Sequence, residues 1–393
     1  MTRVRHGLWT AAMVMASGAL GAVPAAAQAP QAAASDSASL LAVAAVRARE
    51  TATRLEGRLA ARPSSRNPAA AQYAAGLALL GRNQLDSAVV PLRAAVTASP
   101  DNARYHGDLG YALAASAHWP EAEDEYRAAV RLQQSNAWYY VGLGAVQVAQ
   151  EHWAPAAASF TLAVATDSAV IIRQMVDPVG DAYEHSGNAP ALEEWSRMAI
   201  ARFPDEPTPL LRLARAAYLR RDTTTGFPAI RRYRTLRPND DVGAMLYAEY
   251  ELSAAQYDSA VALAIEAAAD TTMLHLASIV LYNAGGHLLQ AAQFDRAAQA
   301  LQRGRAWAAP SELPQYDLYL GLAKFKVLQA FYADVSQHPD CRKAHPADSM
   351  LTEVTGLLTS GAAADSAFAN NVLRSGIPQY RTAINNFVTQ CRR

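Results

Sequence analysis

Residues 76–100, GLALLGRNQLDSAVVPLRAAVTASP, are followed 34 residues later by GYALAASAHWPEAEDEYRAAVRLQQ (110–134) and then by GAVQVAQEHWAPAAASFTLAVATDS (144–168). The three stretches align without a gap. Gly76, Gly110 and Gly144 fall in register, as do Ala88, Ala122 and Ala156. Each alanine is followed four residues on by a bulky apolar residue (Leu92, Tyr126, Phe160) and three further by another alanine (Ala95, Ala129, Ala163). Three residues before each alanine stands Leu85, Trp119 or Trp153, with His118 and His152 preceding the two tryptophans. Self-similarity at such a period marks a repeat architecture and is read before anything else.

Within one copy, Leu85, Ala88, Val89, Leu92, Ala95 and Val96 recur at helical spacing and give one apolar face. Gly and Ala let two helices approach closely, and the large residue fills the space beside them. Pro100 stops the second helix and Asp101 is positioned to cap the next. A single hairpin cannot cover its own apolar face, so neighbours must stack.

Gly, aromatic, Ala, aromatic, Ala and Pro in this order and at this period resemble the tetratricopeptide repeat. The resemblance covers residues 69–310. Gly180, Tyr183, Ala191, Trp195 and Pro204 mark a fourth copy, its inter-helix turn reading one residue shorter. Pro204 and Pro238 frame a fifth, with an irregular turn at 222–226, and Tyr257…Ala260 and Phe294…Ala297 restore the signature. Seven units follow, with residues 316–331 able to begin an eighth. The expected fold is all-α: a right-handed superhelical solenoid of about seven to eight hairpins with a C-terminal helical cap at 311–393.

Composition agrees. Apolar residues make up 51% of the 393, yet mean hydropathy is −0.06, so much of that share is alanine, a helix former. Alternating β-branched runs are missing. Thirty-five basic residues balance 35 acidic ones, leaving no electrostatic footprint for nucleic acid or an anionic membrane.

At the N-terminus, Arg3 and Arg5 precede an apolar stretch at 8–23 and the small-residue site Ala25-Ala26-Ala27. This reads as a signal peptide over 1–27, cleaved near Ala27, with an uncleaved anchor as the alternative. The exported product is expected to be periplasmic or secreted, without a transmembrane segment in the mature chain. Residues 28–39 read as a disordered leader. Residues 40–61 read as a helix that caps the first repeat or serves as a tether, and 62–68 as a linker; together 28–68 precede the repeats.

Two cysteines, Cys341 and Cys391, occur in the whole chain, and in an exported protein they are expected to pair, with two buried free thiols as the alternative. Helices are expected near 348–359, 364–374 and 377–392, after a loop at 336–346. The disulfide would hold this cap.

Chemistry-bearing motifs are scarce. No G-x-S-x-G, H-E-x-x-H, phosphate-binding glycine loop or dinucleotide fingerprint occurs. His338, Cys341 and His345 could ligate zinc or form a redox site, against the charge of Arg342 and Lys343 and the competing partner Cys391. His118 and His152 lie one repeat apart, too far for one ion. No enzyme, metal or cofactor is expected.

The resemblance implies that the first helix of each pair lines a concave groove that takes a peptide or protein. By register, that face carries Tyr73, Tyr111, Trp138, Asp181, Arg215 and Tyr218, which are the candidate binding residues. The carboxylate clamp of chaperone-binding relatives needs Lys and Asn where this chain has Tyr73, Leu77, Gly107 and Tyr111, so that mode is not expected. Tyr73, Tyr111 and Trp138 could equally pack between repeats. The function these features indicate is an envelope scaffold for a protein partner, with a glycan-binding module or the His338–Cys341–His345 site as alternatives.

Overall fold

The computed structural model describes residues 30–57, 68–338 and 340–391. The expected signal peptide at 1–27 and all but the last residue of the expected linker lie outside them. The described residues contain no strand. The described residues divide into two compact units, those up to Ala229 and those from Ile230 onward.

In the first unit α1 (Pro30–Gly57) precedes antiparallel hairpins: α2 (Pro68–Gly81) with α3 (Leu85–Ala98), α4 (Ala103–Ala115) with α5 (Trp119–Leu132), α6 (Ala137–Ala149) with α7 (Trp153–Thr166), and α8 (Val176–His185) with α9 (Ala189–Arg202). Next come α10 (Thr208–Leu219) and α11 (Thr223–Leu236), whose last turns belong to the second unit. That unit continues with α12 (Asp241–Ser253) and α13 (Tyr257–Ala267), α14 (Leu274–Gln290) and α15 (Phe294–Arg305), α16 (Leu313–Gln337) and α17 (Ala344–Gly361), then α18 (Ser366–Asn371) and α19 (Ile377–Cys391). The eighth hairpin is therefore present as α16 and α17, and α16 is longer than the 316–331 read from the sequence.

The first seven hairpins turn in the same way. A residue in the left-handed region stands two positions before the second helix: Asn83, Ala117, Glu151, Gly187, Arg221, Ala255 and Ala292, with φ between 57° and 70°. The amide of the residue five positions later then donates to the carbonyl just before the helix, as in Ala88 to Gln84, Ala122 to His118 and Ala156 to His152. The same bond joins Leu192 to Asn188, Gly226 to Asp222, Ala260 to Gln256 and Ala297 to Gln293.

Two expectations are corrected by this pattern. The fourth turn is not shorter; Leu192 rather than Ala191 takes the buried position, so the helix face slides by one residue. Nor is the fifth turn irregular. Thr223, Thr224 and Thr225 belong to α11, whose first turn is held by the Asp222 carboxylate, which accepts from Thr224 Oγ1 (2.6 Å) and the Thr225 amide (3.1 Å). Gly226 is the buried small residue of that hairpin.

Close packing explains the conserved phase within the chain. A methyl group on Gly76 would lie 2.5 Å from Leu92, on Gly144 2.7 Å from Phe160 and on Gly285 2.5 Å from Leu301. In every case glycine and bulky partner are 16 residues apart. Before α4 the cap is Asn102, one residue past the expected Asp101, its Oδ1 accepting from the Arg104 amide at 3.0 Å. Asn136 does the same for α6.

In the second unit α19 packs on α17, and Tyr380 meets Phe325 and Tyr332 edge-on at 5.6 and 5.7 Å. Cys341 and Cys391 are bonded, with Cα atoms 5.3 Å apart, tying the turn before α17 to the end of the last helix. The region at 336–346 is mostly helical rather than a loop, and the helix expected at 364–374 is split into α18 and a π-turn at Val372–Gly376. The zinc reading of His338, Cys341 and His345 fails here, because the sulfur it requires is bonded to Cys391.

Candidate partner-binding face

Helices α4, α6 and α8 are the first helices of successive hairpins, and together they present one face. α1 lies on it. α1 packs against α4, α6, α8 and the short turn Arg173–Met175, none of which adjoins it in sequence. The sequence reading placed this helix as a cap on the first repeat or a tether; it is neither. Its buried side chains Leu40, Leu41, Ala44, Ala45, Ala48 and Ala52 recur every four residues, a stripe that must find an apolar surface. The helix also begins at Pro30 instead of following a disordered leader.

Two polar contacts fix α1. Asn136, fully buried, donates from Nδ2 to the Ala48 carbonyl at 3.0 Å. Arg49 Nε lies 3.0 Å from Asp108 Oδ1, and Asp108 is 2% exposed. Tyr73 donates its hydroxyl to the other Asp108 oxygen at 2.5 Å. Burial pushes the Asp108 carboxyl up to about 6, with Arg49, the Tyr73 hydrogen bond and Arg104 pulling in the opposite direction. Burial, reinforced by the Asp108 charge, raises the phenols of Tyr73, Tyr126 and Tyr139 and keeps them protonated.

A second polar cluster joins α8 to α10. Arg212 is buried; its guanidinium donates to the Val176 carbonyl (2.9 Å), Asp177 (3.0 Å) and Asp181 (2.5 Å). It fills the space that Gly180 leaves for want of a side chain. Arg215 pairs with Glu184. Burial raises the Asp181 carboxyl against the opposing pull of Arg212.

The candidates chosen by register therefore fall into two groups. Tyr73 and Trp138, 8% and 7% exposed, are packed into the core, and Tyr73 is committed to Asp108. Tyr111 and Tyr218 are half-buried. Asp181 and Arg215 stand in the α8–α10 ion cluster. The sequence reading missed Arg49, Asp108 and Asn136. Arg49 carried a usable signal, since it interrupts the small-residue stripe of a helix that lacks a hairpin partner; a lone Asp or Asn in a repeat carries none.

Seven turns of one conformation, glycine set against a bulky residue 16 positions on, and first helices gathered on one face complete the description. The fold is a stack of tetratricopeptide-type hairpins. No family model and no curated protein matches the sequence. Solved structures similar to these tetratricopeptide hairpins include PilF of Pseudomonas aeruginosa, 19% identical over 51% of this chain and 90% of that one, with a TM-score of 0.37. A tetratricopeptide repeat-containing protein of Cytophaga hutchinsonii is 13% identical over 60% of this chain and 95% of its own C-terminal part, with a TM-score of 0.43. In the structure of Naa15/Naa10 bound to HypK-THB, the similar chain is 12% identical over 82% of this chain and 51% of that one, TM-score 0.47.

Among the described residues no helix is long and apolar enough to cross a membrane, and no three His, Cys, Asp or Glu side chains are grouped to hold a metal ion.

Proposed function

We propose that this chain is a non-catalytic scaffold of the cell envelope that binds a protein partner on the first-helix face of its tetratricopeptide hairpins. One observation carries the reading: that face already holds a helix, α1, by an apolar stripe, an amide-to-backbone hydrogen bond and an ion pair. Those are the terms by which an amphipathic helix is recognised in a groove. The buried charges support a structural role, since Asp108 and Arg212 are taken up by ion pairs within the chain.

An envelope location is supported by the basic and apolar N-terminal segment and by the Cys341–Cys391 bond, a linkage that persists in oxidising compartments.

The test is site-specific photocrosslinking in envelope extract. Photoreactive residues at Tyr111 and Tyr218, on first helices, are expected to give a discrete protein adduct. The same residue at Val90, on the second helix α3 and 74% exposed, is the control. Adducts in equal yield from Val90, or none from the first helices, would overturn the reading.

A further inference from the structure

α1 is bound as a ligand is bound. The helices of the next three hairpins, α2 to α7, pack most on the partner a turn away; α1 instead packs on α4, α6 and α8, beyond the first hairpin. Its contact surface is specific. Alanines at 44, 45, 48 and 52 leave the helix backbone close enough for Asn136 Nδ2 to reach the Ala48 carbonyl, and a larger side chain there would hold the two apart. The face also contains a buried carboxylate: the two oxygens of Asp108 are held by Arg49 and Tyr73, so an occupant that covers the face without a cation leaves that charge to Tyr73 and Arg104 alone. Arg49 supplies that cation for α1.

We propose that this face is an exchangeable helix-binding site, that α1 is its built-in occupant, and that the partner is a protein helix of the same chemistry. That helix has Leu or Ala at positions equivalent to 40, 41, 44, 45, 48 and 52 and an arginine at the equivalent of 49. This rests on the reading of the face as the partner site and specifies what the partner presents. A tethered occupant competes at an effective concentration in the millimolar range, so an outside helix binds the intact chain weakly until α1 is loosened.

The experiment uses the full chain and a fluorescent peptide of residues 38–54, ASLLAVAAVRARETATR. The double substitution Ala44→Glu and Ala48→Glu in α1 of the full chain is expected to tighten peptide binding at least about tenfold over wild type, by removing the competitor. A peptide carrying Arg49→Ala is expected to bind that variant at least about tenfold more weakly, the loss of a buried ion pair. In the unaltered chain, excess peptide is expected to speed amide hydrogen exchange at residues 40–52 while α6 stays protected. This last measurement needs no variant to fold.

Absence of peptide binding to a variant that keeps its helical circular dichroism would overturn the proposal. So would α1 amides whose exchange the peptide leaves unchanged, or a wild-type dimer in which copies trade α1, which would assign the face to a second copy of this chain. Photocrosslinks from Tyr111 and Tyr218 surviving any of these results would retain the scaffold and discard only the partner chemistry.

Discussion

Asp108 is the residue on which the first-helix face depends. An aspartate in an unfolded chain titrates near 3.9, whereas burial raises this one to about 6. The folded state thus holds the proton more tightly than the unfolded state. The stability this group contributes is complete below about pH 4 and is lost as pH rises through about 6. Denaturant titrations are expected to show wild type gaining about 1 kcal/mol relative to Asp108→Asn between pH 7 and pH 5. An Asp108→Asn profile parallel to wild type would contradict this. Nothing in the sequence marks Asp108, because an isolated acidic residue on a helix reads as solvated until the helix that covers it is placed.

At the scale of the element, the hairpin turn is the most uniform feature of the chain. Its left-handed residue is glycine only at Gly187; elsewhere Asn, Ala, Glu or Arg adopts a conformation that costs a side chain about 1–2 kcal/mol. The sequence therefore does not mark the turn, and counting from alanine to alanine misjudged it where Leu192 and Gly226 replaced the anchor. The exposed Ala117, with φ at 61°, offers the cleanest test. Ala117→Gly is expected to stabilise by about 0.5–1 kcal/mol, the relief of strain exceeding the freedom glycine adds to the unfolded chain. Thermal denaturation measures it, and a lowered midpoint would show that the turn is not strained there.

For the molecule as a whole, stacked hairpins contact mainly their neighbours, so a disturbance at one end is expected to stay local. The Cys341–Cys391 bond closes a loop with a sequence separation of 50, worth about 4 kcal/mol in the chain-entropy account. Replacing both cysteines by serine is expected to raise hydrogen exchange in α17 and α19 while α4 to α7 keep their protection. Uniformly faster exchange in all of these helices would mean that the disulfide supports more than the cap. The pairing itself was legible, since only two cysteines exist; that they would join the turn before α17 to the last residue of α19 followed from where those helices ended.

The sequence by itself determined the hairpin and its period. The contacts that define a hairpin are local, and a glycine facing a bulky residue 16 positions away leaves a mark that survives changes of residue type, as Gly76 with Leu92 and Gly144 with Phe160 show. Only the tertiary structure decided where α1 goes. Its stripe of leucine and alanine declares an apolar face but would suit any apolar surface, and the groups that select its place, Asp108 on α4 and Asn136 at the cap of α6, belong to the second and third hairpins. Amphipathicity is written along a helix; its address is written in residues that become neighbours only when the chain has folded.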